Sequence, residues 1–98
     1  MESDPLSQVV AVYVSWNTAE ELAESLRALL ADGDDLEVVV VDNASRDDTV
    51  AMLSRDFPAV RVIVNPDNRG FAAAFNQGWR ASERRFVLQM NPDTVLAP

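Results

Sequence analysis

LEVVVVDNASRDDT, residues 36–49, decides the fold. Its four consecutive valines are β-branched and apolar at every position, so both faces of the segment need covering. That is the pattern of a strand inside a parallel sheet, not of a strand with one face in water. The run then stops on Asp42, Asn43, Ala44 and Ser45. A buried strand that delivers an acid and an amide at its carboxyl end sets them at the edge of a rigid core. What they meet there is the functional question.

Three more apolar runs lie around this one: residues 8–15 (QVVAVYVS), 60–64 and 85–90 (RFVLQM). Stretches of helical period separate them. In residues 18–33 (TAEELAESLRALLADG), Thr18 with Glu21 has the spacing of a capping box, Leu22, Leu26, Leu29 and Leu30 share a face, and Gly33 supplies a stop. Ser45 with Asp48 reads as a second helix start; Val50, Leu53 and Phe57 make its stripe and Pro58 ends it. Residues 71–82 (FAAAFNQGWRAS) form a third helix, with Phe71, Phe75 and Trp79 on a face expected to be core. The order βαβαβαβ predicts an α/β fold: one domain over residues 1–98, a mainly parallel sheet, right-handed crossovers and helices on both faces.

Composition narrows the chemistry. The 98 residues carry a formal charge of −8, from 16 acids against 8 bases, which argues against a nucleic-acid or anionic-membrane surface. All the bases are Arg; Lys, His and Cys are absent. Schiff-base and P-loop lysines, histidine acids and ligands, zinc-thiolates and thiol nucleophiles are therefore excluded. Carboxylates, amides, hydroxyls and backbone remain. The opening MESDPLSQ lacks a basic region followed by an apolar core, and no apolar run is long enough to span a bilayer, so a cytoplasmic location is expected.

The polar residues collect after the strands. Ser15, Trp16 and Asn17 follow the first; Asp42, Asn43 and Ser45 the second. Asn65, Asp67, Asn68, Arg69 and Gly70 follow the third, and Asn91 and Asp93 the fourth. In a parallel sheet these carboxyl ends share one edge, where open α/β sheets bind ligands. Each element also has a plainer reading. Asp42–Ser45 suits a turn and helix cap as well as a ligand, Asn91-Pro92-Asp93 suits a simple turn, and Trp16 suits a core.

The combination resembles the nucleotide-sugar half of the family 2 glycosyltransferases, inverting enzymes of the GT-A fold. The matching pieces are VVAVYVSWN, VVVVDNASRDDT, NPDNRGFAAAFNQG and VLQMNPDT, in order across residues 9–94. The DNAS form of the second and the N-x-G-F-A-x-A-x-N-x-G form of the third look most like the rhamnosyltransferase-like branch. The resemblance implies a nucleoside-diphosphate sugar donor, with UDP or dTDP as carrier, held at the strand edge. Trp16 would lie on the pyrimidine where many members carry Tyr, between Ser15 and Asn17, while Asp42 and Asn43 would bond the base beside Ser45. Many members have two acids in sequence there; the second is Asn43 here.

The family's D-x-D metal motif corresponds to Asn91-Pro92-Asp93, with Asp93 expected to hold Mg²⁺ or Mn²⁺ against the diphosphate and Asn91 to contact the ribose or a metal-bound water. A chain at −8 without Lys has few cations for a departing diphosphate, so such an ion is physically needed. Arg69 is the best local cation, and Asn68-Arg69-Gly70 at a helix entrance would let backbone amides approach an oxygen.

Domains of this family are about twice as long or longer, and the later half carries the acceptor contacts and the general base. The chain is therefore expected to be the donor-binding part of a longer enzyme acting on a glycan or lipid-linked acceptor, possible at the inner face of the membrane. Alone it is expected to transfer no sugar and to self-associate through an unpaired edge. The rival is a non-catalytic flavodoxin-like or receiver-like module. A receiver needs acids after its first strand and a later Lys, and a dinucleotide fold needs glycines in that first loop; Ser15-Trp16-Asn17 supplies neither.

Overall fold

Val38 and Val40 enter one layer of the core and Val39 and Val41 the other, so both faces of β2 (Glu37–Asp42) are covered as its composition demands. The computed structural model describes residues 5–31 and 35–93. Around β2 stand β1 (Val9–Ser15), β3 (Arg61–Val64) and β4 (Phe86–Met90), with α1 (Ala19–Leu30), α2 (Thr49–Asp56) and α3 (Phe71–Arg80) between them and a short 3₁₀ turn at Pro5–Gln8. Every strand pairing is parallel and the order is β3-β2-β1-β4. The chain steps outward from β1 through β2 to β3, then returns to the far side of β1. Strand order thus reverses between β1 and β4, which opens a crevice at their carboxyl ends.

Two apolar layers close on this sheet. Ala11, Tyr13, Val38, Val40 and Met90 meet Leu22, Ala23 and Leu26 of α1 and Met52 and Leu53 of α2. On the other face Val10, Val12, Val39 and Val41 meet Ala74 of α3, with Phe75 and Trp79 packed alongside. Helices therefore cover both faces, as expected. α3 lies very close to the strands because of Gly78: a Cβ there would come within 2.6 Å of Val12 Cγ1 and 3.0 Å of Val41 Cγ2. In the first layer the Tyr13 hydroxyl is buried against Ser25 Oγ at 2.7 Å, and burial raises its pKa despite that bond.

Three local expectations need correction. Thr18 makes no side-chain cap to α1, so the Thr18/Glu21 capping box does not form. Ser45 does not start α2, which begins at Thr49. Phe71 is not core: it is 47% exposed, while Phe75 and Trp79 do pack on the sheet. Gly33, expected to stop α1, lies outside the described residues. β4 is an edge strand whose Phe86 and Leu88 are exposed, the surface to which the expected self-association refers.

Candidate functional site

Strand register brings the first polar groups together. Ser15 stands directly across from Asp42, and its Oγ donates to Asp42 Oδ1 at 2.9 Å. Ser45 Oγ donates to the same oxygen at 2.6 Å and Ser45 N–H to Oδ2 at 2.9 Å. The carboxylate, 1% exposed, thereby folds the chain after β2 into a closed turn. Ala44, at φ +64°, is the left-handed residue that this turn requires.

Asn43 faces the other way. It is 2% exposed, donates through Nδ2 to the Gly70 carbonyl at 3.1 Å, and accepts at Oδ1 from Asn65 Nδ2 at 3.0 Å. Asn65 and Gln77 then bond each other twice, at 2.8 and 2.9 Å. This amide chain fastens the β3–α3 loop to the end of β2 and to α3. Asn68 Oδ1 accepts the Gly70 N–H at 2.9 Å, and Gly70 adopts φ +79°, ψ 170°, a conformation open essentially to glycine alone. The Gly70 N–H expected to meet a ligand oxygen is therefore already bonded within the loop. Arg69 pairs with Asp67 at 3.3 Å on the surface.

Asn17 performs the matching task on the opposite side. Left-handed itself at φ +53°, it donates its N–H to Ser45 Oγ at 2.8 Å and accepts the Arg46 N–H at Oδ1 at 2.7 Å. Asp47 adds a clasp, with Oδ2 accepting from the first amide of α1, Ala19, at 3.2 Å and Oδ1 from the first amide of α2, Thr49, at 3.0 Å. Partial burial works to raise the Asp47 pKa, but the hydrogen bonds from Thr49 and Ala19 outweigh it and hold the carboxyl below its ordinary range. The three loops after β1, β2 and β3 are thus one hydrogen-bonded body.

Trp16 projects from this body 55% exposed, which removes the core reading for it. Across β1, Tyr13 pairs with Met90, the last residue of β4, and Asn91 follows at that strand's carboxyl end. Asn91 and Asp93 are exposed at the same carboxyl rim as Asp42, with β1 between them, a span of about 10 Å for two strand spacings. Asp93 makes no hydrogen bond or ion pair with a described residue. A separate hollow of about 300 Å³ beside α1 is lined by Asn17, Glu20, Glu21, Asp47 and Asp48. Its acids repel an anion.

The chain from residue 7 to residue 98 matches the family model described as glycosyl transferase family 2. This chain belongs to that family. It is 33% identical over 97 residues to the succinoglycan biosynthesis protein ExoO of Rhizobium meliloti, covering 97% of this chain and 28% of that protein. An uncharacterized glycosyltransferase of Haemophilus influenzae is 33% identical over 85 residues, 86% of this chain and 29% of its own length. Among solved structures, the mannosyltransferase PcManGT from Pyrobaculum calidifontis, in complex with GDP-Man and Mn²⁺, superposes with TM-score 0.78 at 27% identity, over 93% of this chain and 29% of that one. S. aureus TarS 1-349 in complex with UDP gives 0.76 at 24% identity, over 88% and 27%, a likeness of fold. The chain thus spans less than a third of the proteins that it matches. Family membership and the GT-A-like fold set aside the flavodoxin-like and receiver-like readings.

Gln77 and Asp47 are not among the residues that the sequence places at this rim; Asn65 is, but without its partners. Asp47 was legible in principle, because an acid two residues before a helix-opening Thr is a local capping pattern. Nothing in the sequence pairs Asn65 with Gln77.

Proposed function

We propose that this chain is the donor-binding part of an inverting glycosyltransferase and holds a nucleoside-diphosphate sugar, carried by UDP or dTDP, along the carboxyl rim, with its diphosphate at the β1–β4 reversal. One observation carries the reading: three interlocked loops present an exposed Trp16 at the strand-order reversal, with Asp93 on the adjoining strand end. Trp16 offers a face to the base. Asp42 and Asn43, whose oxygens and amide are engaged inside the protein, act mainly by holding Trp16 and Gly70 in place. Finer placement in the rhamnosyltransferase-like branch rests on the DNAS and NRGFAAAFNQG motifs alone.

The oxygen groups of Asp93 and Asn91 suit a hard divalent cation, Mg²⁺ or Mn²⁺. Among the described residues no three acids gather into a ready-made cage, so such an ion would take its remaining oxygens from diphosphate and water. When bound it would supply positive charge to the leaving diphosphate. The exposed Asp93, without a hydrogen-bond or ion-pair partner among the described residues, would hold it at the rim, and Arg69 would offer a loop cation to a phosphate oxygen. No described residue has the position of a general base. Transfer to a glycan or lipid-linked acceptor is proposed to require more protein than these 98 residues.

Calorimetry with UDP and dTDP, with and without Mn²⁺, tests the reading. Metal-dependent binding that disappears in Asp93→Ala is the expected result; binding by the variant with its metal dependence intact would remove Asp93 from the site.

A further inference from the structure

We propose that Phe71 forms the second wall of the slot for the nucleobase, facing the ligand from the α3 side while Trp16 faces it from the β1 side. The inference rests on the nucleotide-binding reading above. Phe71 is the first residue of α3 and is 47% exposed, yet it is not loose. Its ring stacks on Phe75, with centroids 5.8 Å apart and planes 16° from parallel, and Phe75 packs on the sheet layer. A half-exposed phenylalanine with no polar tip, seated on a half-buried neighbour that packs on the core, is a preformed flat surface.

Loop geometry ties the neighbours of both aromatics to one loop. Asn17, next to Trp16, bonds Ser45; Gly70, next to Phe71, bonds Asn43. Trp16 and Phe71 are therefore each one residue from an anchor on the four-residue loop 42–45. The backbone of Gly70, fixed by Asn68 and Asn43, sets where the chain turns into Phe71. Asp42 and Asn43 spend their hydrogen bonds inward, which leaves the loop poor in free groups for reading a base edge. A planar ligand at such a slot is held by its faces. Stacking of this kind tolerates different bases, because every base has a π-face.

The test compares wild type, Phe71→Ala, Phe71→Tyr and Trp16→Ala for binding of UDP, dTDP and pyrophosphate with Mg²⁺, with circular dichroism to verify folding. Phe71→Ala should weaken UDP and dTDP alike, by about fivefold to a hundredfold, as loss of one base–aromatic stack does. Pyrophosphate should be unaffected, and Phe71→Tyr should restore the affinity. Unchanged UDP affinity in Phe71→Ala while Trp16→Ala loses it would overturn the role of Phe71 and leave the nucleotide reading standing. Equal weakening of UDP and pyrophosphate would reduce Phe71 to a structural support and also overturn it. Wild type that binds neither UDP nor dTDP would bring down the nucleotide reading and the second wall together.

Discussion

The two halves of the carboxyl rim are built differently. Around the end of β2, acid and amide groups are buried and tied to three loops; Asp42 alone accepts from Ser15 and twice from Ser45. At the end of β4, Asn91 and Asp93 stand exposed on an edge strand whose Phe86 and Leu88 also face solvent. The first half is finished before any ligand arrives, because its polar groups satisfy one another. In the second, Asp93 makes no hydrogen bond or ion pair with a described residue. On the function proposed above, the preorganised side would meet a rigid base and the open side a flexible, charged diphosphate, a sensible division.

The sharpest way to break that contrast is to delete one acid from each half. Asp42→Ala leaves the hydroxyls of Ser15 and Ser45 and the Ser45 N–H without their acceptor in a buried place. A loss of about 3 kcal/mol is expected, a large share of the roughly 5–15 kcal/mol that holds a native domain together. Asp93→Ala removes an exposed side chain and should change stability by less than about 0.5 kcal/mol. Urea unfolding of both variants measures the difference. Comparable losses would mean that the β4 end is as tightly built as the β2 end.

Much of this was legible in advance, for physical reasons that differ between elements. VVVV had to be covered on both faces, and that alone forced helices above and below a parallel sheet. Leu22 and Leu26 declared the buried side of α1 through their spacing, and both are fully buried. The rim was legible as a place, since parallel strands put all their carboxyl ends on one side. Which atom bonds which was not. Asp42, Asn43 and Ser45 are residue types equally suited to turns, caps and ligands, and only the register of β1 against β2 assigns Ser15 to Asp42. Thr18 and Ser45 misled for different reasons: an acid from a distant loop, Asp47, reaches the first α1 amide, and the Ser45 hydroxyl closes a local turn onto Asp42.

The Asp47 clasp sharpens the comparison at an intermediate scale, since it joins the starts of α1 and α2 behind the finished half of the rim. Asp47→Ala should cost about 1 kcal/mol, the usual worth of a lost cap. Its folded pKa is depressed, so its contribution is present above the ordinary carboxylate range and is lost as pH falls below about 4 and through the folded value. Wild type and Asp47→Asn, followed by thermal melts from pH 7 to pH 3, should differ in slope only at the acid end, with the variant flatter. Parallel curves throughout would show that the clasp has no ionic character.

Ala44 gives a small effect of opposite sign and the finest probe. Its φ of +64° places Cβ against the backbone, a strain of about 1–2 kcal/mol that glycine would not bear. Glycine also loses more conformational freedom on folding, by roughly 0.5–1 kcal/mol. The two terms nearly cancel, so Ala44→Gly should raise stability by no more than about 1 kcal/mol, read as a small upward shift in the urea midpoint. If midpoint and slope both fall, the Asp42–Ser45 turn has loosened: the alanine methyl would then be restraining the loop, and the stiffness of this half of the rim would come partly from the residue that appears most strained in it.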